Sequence, residues 1–364
     1  MEKEKKTDNL GKGEDKEIEK SQEEPMEEIK APGWDAIDNE LNKIYPDIEG
    51  IHYGNISPFG EERLKGITVY DVDGENPHWH FITYGLTELY EKEFEDPNRS
   101  GYGFELTFRL AKTDNDTKAP NWALNFLNNI ANYIFKTGNI FSEGHYLNTN
   151  GPIEANSNTK MKAIVFSLDN KLKSVVETPN GKIKFIQMTG ITLDELDAMI
   201  IWNTGKVLNL LELPMNITYM NRESNLTEKV KDKIELGIEM EGSSTRFLYV
   251  DKAYMEREQR EILFLGALCI NNFKKLLKGV VLKWNTLTLY SEYKINFNIS
   301  IENEVVIENN SYNIYLTEET INEIMEKIEV KSQVIVLDTF EGFDIVIEKS
   351  YVKDRYGNIL ETVG

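Results

Sequence analysis

The spacing of apolar and polar positions predicts a chain of mixed strands and helices. Gly66-Ile67-Thr68-Val69-Tyr70 and His78-Trp79-His80-Phe81-Ile82-Thr83-Tyr84 are β-branched and aromatic runs, and both predict strands. Phe104, Leu106, Phe108 and Leu110 alternate with Glu105, Thr107 and Arg109, which predicts a strand with one apolar face. After Pro120 the period changes. Trp122, Phe126, Leu127, Ile130, Tyr133 and Ile134 form a helical stripe, and Gly138 ends it. Residues 161–168 and 182–189 return to the strand pattern, with Pro179-Asn180-Gly181 as a hairpin turn before the second. Thr192 and Glu195 have the spacing of a capping box.

Beyond residue 250 the longest helical pattern covers 253–278, on Ile262, Leu265, Leu268, Phe273 and Leu276. Strand-like runs follow at 280–289, 293–301 and 312–316. Thr317-Glu318-Glu319 opens another helix, and 333–338 and 343–349 close as strands. Strands and helices alternate irregularly, without a βαβ rhythm, so the predicted class is α+β, with two mixed α/β-sheet domains. Residues 1–31 hold 7 Lys and 11 acidic residues against few large apolar side chains, which predicts a disordered charged tail. The expected domains are 32–250 and 251–364, separated by the polar run Glu241-Gly242-Ser243-Ser244-Thr245.

Charge narrows the range of functions. Lys and Arg number 41 against 62 Asp and Glu, a net charge of −21. Such a surface repels phosphate backbones and anionic lipid, which argues against nucleic-acid and membrane partners and suits a basic protein partner. One cysteine, Cys269, excludes a disulfide framework and a multi-cysteine zinc site; in its apolar stretch it reads as a buried, inert thiol. No apolar run reaches the length of a membrane span, and the charged N-terminus does not read as a secretory signal, so the expected compartment is the cytoplasm.

Candidate chemistry is sparse. His78 and His80 share one face of a strand and could converge on a metal ion, with His145 as a third ligand, the basis of an alternative reading as a metal-dependent hydrolase. Against it stands the ordinary role of such histidines as hydrogen-bonded core residues. There is no Gly-x-Ser-x-Gly elbow and no phosphate-binding loop. Gly101-Tyr102-Gly103 precedes a strand and lacks a third glycine, so it reads as a φ > 0 entry to that strand. Carboxylate pairs such as Glu61-Glu62 are too common in an acidic chain to carry weight. No catalytic constellation and no cofactor is expected. Trp34, Trp79, Tyr84, Tyr90, Tyr102 and Trp122 crowd the start of the fold, either as core rings or as an aromatic groove for a partner peptide.

Several of these strings together resemble the suppressor of fused family. They are Pro32-Gly33-Trp34-Asp35-Ala36-Ile37, the run from Pro77-His78-Trp79-His80 to Leu89-Tyr90, and Ser100-Gly101-Tyr102-Gly103 to Arg109-Leu110. Thr178-Pro179-Asn180-Gly181, Phe185 to Thr192, Trp202-Asn203 and Val207 to Leu211 follow in order. Ile234-Glu235-Leu236-Gly237-Ile238-Glu239 and Leu316-Thr317-Glu318-Glu319 resemble the family's C-terminal domain more faintly. The resemblance implies binding rather than catalysis. Animal members clamp an extended peptide between two domains, where it adds a β-strand; bacterial members are similar to immunity proteins that neutralise a cognate toxin. The Asn-, Ile- and Lys-rich composition points to the bacterial branch, and so to a toxin as partner. By the same resemblance Tyr133 and Asp169 fall at groove positions. A second groove acid is replaced here by Glu143, one place before Gly144-His145. The resemblance makes His78 and His80 part of a structural signature.

Overall fold

The computed structural model describes residues 30–54, 64–113, 116–308, 311–353 and 358–364. The expected tail up to residue 29, and the Glu61-Glu62 pair, lie outside the described residues.

The first half runs α1 (Pro32–Ile44), β1 (Ile51–Gly54), β2 (Gly66–Val72), β3 (His78–Tyr84), β4 (Arg99–Ala111), α2 (Asn121–Thr137), β5 (Tyr146–Asn148), β6 (Ala163–Leu168), β7 (Val176–Thr178), β8 (Gly181–Ile191), α3 (Leu193–Ile201), α4 (Thr204–Leu210) and α5 (Glu228–Glu241). Its strands form one mixed sheet in the order β1-β2-β3-β4-β8-β6-β5, with β7 hairpinned onto β8 across Pro179-Asn180. The apolar stripe of α2 packs Leu127, Ile130 and Ile134 on Phe81, Leu106 and Phe108. Gly138 ends that helix at φ 70°. On the other face α1 packs Ile37 and Leu41 against Ile82, Tyr84 and Phe185. The same face is covered further on by α3, α4 and α5, whose Met199, Val207 and Ile238 meet Val165 and Ile191. Thr192 and Glu195 close the expected capping box at the start of α3.

Covering both faces changes the character of β4. Its apolar side chains are buried as expected, but Glu105, Thr107 and Arg109 on the opposite face are fully buried as well. The half-solvated strand expected from alternation is a central strand, and its polar side chains make an internal network instead of facing water.

The second half holds β9 (Phe247–Tyr249), β10 (Ala253–Arg257), β11 (Glu261–Gly266), α6 (Ile270–Gly279), β12 (Leu287–Tyr290), β13 (Lys294–Ile299), β14 (Glu304–Glu308), β15 (Ser311–Leu316), α7 (Glu318–Lys327), β16 (Gln333–Val336), β17 (Phe343–Glu348), β18 (Ser350–Lys353) and β19 (Ile359–Val363). Two sheets, β10-β11-β17-β16 and β14-β15-β13-β12-β9, enclose a core of their own with α6 and α7. The long helix expected over 253–278 is not formed. Residues 253–266 are a hairpin, and only 270–279 continues as α-helix. Leu263 and Leu265 are buried at a period of two, because β11 pairs in parallel with β17. The helical spacing of Ile262, Leu265 and Leu268 was coincidental, and Glu258-Gln259-Arg260 is the turn it overran. Likewise the strand expected over 280–289 is confined to β12, after a short 3-10 turn at Val281–Lys283. Among the described residues no helix is long and apolar enough to cross a membrane.

Candidate functional site

The buried face of β4 carries the densest chemistry. Arg109 Nη1 donates to Asp169 Oδ2 at 2.5 Å and to Gln187 Oε1 at 2.9 Å. Thr107 Oγ1 donates to the same Asp169 oxygen at 2.9 Å. His80 places Nε2 3.3 Å from it, while its Nδ1 meets Tyr45 Oη at 2.9 Å. Burial alone raises the Asp169 carboxyl, but His80 and the Arg109 charge outweigh burial and hold it well below the usual carboxylate range. Burial, reinforced by the same Arg109 charge, lowers the His80 imidazole to about 3, so it is neutral at pH 7. An arginine balanced by one carboxylate, sealed between helix layers, is a structural ion pair.

This geometry corrects the sequence reading of Asp169. Its side chain is fully buried and already paired, so it does not stand on an open groove wall. Its neighbour Asn170 lines a cleft. The histidines also part company. His78 Nδ1 lies 2.7 Å from the Asn76 carbonyl, its ring centroid is 6.5 Å from that of His80, and His145 is an exposed loop residue ahead of β5. Among the described residues no group of three or more His, Cys, Asp or Glu side chains is placed to hold a metal ion. Cys269 is buried, and burial pushes its thiol up to about 12.

Two open clefts lie along chain 143–148. Glu143 and His145 border a cleft of about 770 Å³ with Leu168, Asn170, Asn203 and Asn216. Tyr133 stands at its back. It is part-exposed on α2, accepts from Asn139 Nδ2 at 2.6 Å, and stacks on Phe141, which stacks on the cleft residue Phe166. Tyr146 and Asn148 then border a second cleft of about 370 Å³, which Phe247, Leu248 and Tyr249 also line.

Two open strand edges meet there. β5 ends the first sheet and β9 ends the five-stranded sheet. Phe166 N–H donates to His145 O, and Thr149 N–H to Lys162 O. By the alternation of an antiparallel ladder, Tyr146 and Asn148 therefore turn their own N–H and C=O away from β6. On β9, Arg246 O accepts from Thr288 and Val250 N–H donates to Tyr290 O. Phe247 and Tyr249 accordingly turn their backbone groups away from β12. Tyr146 and Tyr249 both line this cleft, and burial and the nearness of Tyr249 raise the Tyr146 hydroxyl. Sequence reasoning missed Tyr146, Asn148, Phe247 and Tyr249. The aromatic alternation Phe247-Leu248-Tyr249 was the available signal, hidden because it follows the polar run taken as a boundary.

The fold and cleft define an α+β protein in which two sheet edges, unpaired among the described residues, border one cleft. A family model described as suppressor of fused protein matches residues 60–223. The human suppressor of fused homolog is 30% identical over 235 residues, covering 58% of this chain and 48% of that protein. The chain thus spans about half the length of the curated relatives it matches. A chain from the Sufu-Fu complex crystal structure is 30% identical, with TM-score 0.51, over 57% of this chain and 97% of that one. The crystal structure of Drosophila suppressor of fused is 20% identical and shares the fold, with TM-score 0.71, over 88% of this chain and 97% of that chain. The chain belongs to the suppressor of fused family.

Proposed function

We propose that this protein is a non-enzymatic, cytoplasmic protein-binding module that holds an extended segment of its partner between β5 and β9. The observation that carries the reading is the pair of edges on one cleft, at Tyr146 and Asn148 on one side and Phe247 and Tyr249 on the other. A strand laid between them gains main-chain hydrogen bonds on both sides, and Tyr146, Tyr249 and the adjoining Tyr290 supply ring area. Glu143 and His145 extend the same wall, and Tyr133 backs it through Phe141. A net charge of −21 supports a basic partner, and immunity against a cognate toxin is the biological role that fits it. The relative solved as a Sufu-Fu complex supports protein binding as the mode of action.

The test removes outward N–H groups without touching side-chain charge. Asn148→Pro and Tyr249→Pro each delete a donor that neither β6 nor β12 uses. Binding to the protein encoded by the neighbouring gene, measured by calorimetry, is expected to weaken at least about tenfold in either variant. Unchanged affinity in both folded variants would place the contact elsewhere.

A further inference from the structure

The loop between β3 and β4 is held far more firmly than a connection requires. Buried Glu105 accepts from Gly85 N and Thr87 N at 2.9 Å each, from Thr87 Oγ1 at 2.7 Å and from Thr83 Oγ1 at 2.6 Å. Glu88 accepts from Phe94 N at 2.6 Å, from Gly101 N at 3.0 Å and from Lys92 Nζ at 2.6 Å. Asn180 Nδ2 donates to Glu88 O at 2.9 Å. Gly101 sits at φ +52°, and a Cβ there would come within 2.6 Å of Leu86 O. Two carboxylates spent on one loop fix the positions of whatever it displays.

What it displays is aromatic and acidic. The loop borders a cavity of about 650 Å³ with Tyr90, Phe94, Tyr102 and Phe135 on its walls. Tyr102 sets its ring 5.7 Å from Phe135 and 6.0 Å from Phe94. Tyr90 and Phe94 remain 42% and 43% exposed, unusual for rings on so fixed a support. Glu91 and Glu93 stand exposed on the rim and make no ion pair among the described residues. Lys65 also lines the cavity. None of these residues borders the β5–β9 cleft.

The geometry points to a second docking site, separate from that cleft, which takes an Arg- or Lys-bearing segment of a protein partner. Ring faces and free carboxylates around one cavity recognise an alkyl stem that ends in a cation: the rings cover the stem and the acids meet the charge. The stretch of the chain's own N-terminal tail that adjoins this rim is the wrong occupant. The fold begins at this rim, where Gly33 N–H donates to Leu89 O at 2.9 Å, but residues 17–28 contain six glutamates and one lysine.

The experiment uses the full chain and two fluorescein-labelled octapeptides, alternating Gly-Arg and alternating Gly-Glu, read by anisotropy. The Gly-Arg peptide is expected to bind. Tyr90→Ala with Phe94→Ala leaves the charge unchanged and is expected to weaken binding about five- to tenfold. Glu91→Gln with Glu93→Gln is expected to do the same. Glu302→Gln with Glu304→Gln, an equal loss of charge at exposed positions on the second unit, is expected to change affinity less than about twofold. If the aromatic pair fails to fold, the Gln pair, whose side chains are exposed, decides. Binding of the Gly-Glu peptide, equal weakening by the remote pair, insensitivity to the rim variants, or no binding of Gly-Arg would each overturn the proposal.

Discussion

Asp169 Oδ2 accepts from both Arg109 and Thr107, and that arrangement decides what its substitution does. Asp169→Asn leaves Arg109 buried with its charge uncompensated, a loss of roughly 3–5 kcal/mol. The expected outcome is a much lower urea midpoint, with Tyr133→Ala, at a part-exposed ring, costing far less. His80 adds a pH dependence. Its imidazole sits near 6.5 when unfolded and about 3 in the fold. Between those values the unfolded chain takes the proton and the fold does not, so stability is lost as pH falls from 6.5 through 3. Glu105 has the opposite sign. Burial raises it from 4.5 to about 7, so its contribution is lost as pH rises across that range. Urea unfolding of His80→Gln between pH 6.5 and 5 is expected to show a shallower acid-side decline than wild type, with Glu105 acting equally in both. Identical slopes would mean that His80 is charged in the fold.

At the scale of elements, packing decides between competing local signals. α5 crosses Trp202 at Gly237, where a Cβ would stand 2.2 Å from the indole. Alanine normally favours a helix interior over glycine by about 1 kcal/mol, but overpacking costs about 1–3 kcal/mol. Gly237→Ala is therefore expected to lower the melting temperature, and a gain would mean that the ring yields. The same packing explains which elements were legible. β2, β3, β4, α2, β8 and α7 show in the sequence because their period, caps and turns agree. β10 and β11 do not, because a buried strand followed by a helix mimics one helical stripe. The β4 network was hidden for a related reason: alternation reports which residues share a face, not whether a second helix layer covers the polar one. The family resemblance implied a groove between two units but did not point to these edges. Tyr146 and Tyr249 lie 103 positions apart (146 to 249), and nothing local tells that their edges meet.

Across the whole molecule, the buried apolar clusters fall on either side of one stretch. Those of the first unit end at Ile238, and that of the second begins at Ala253. The link between them is held by a few bonds, such as Ser243 N–H to Gly279 O and Ser244 N–H to Trp202 O. Limited proteolysis is expected to cut within 242–246 before it cuts inside 100–135, and the reverse order would defeat the two-unit assignment. The facing edges of β5 and β9 then have a consequence for heat capacity. With the cleft open, each unit melts around its own core, and scanning calorimetry should resolve two overlapping endotherms. A strand seated between the edges joins an eight-stranded and a five-stranded sheet into one hydrogen-bonded surface. Neither unit can then melt without releasing the ligand, so the two endotherms should merge into one, at a temperature that rises with partner concentration.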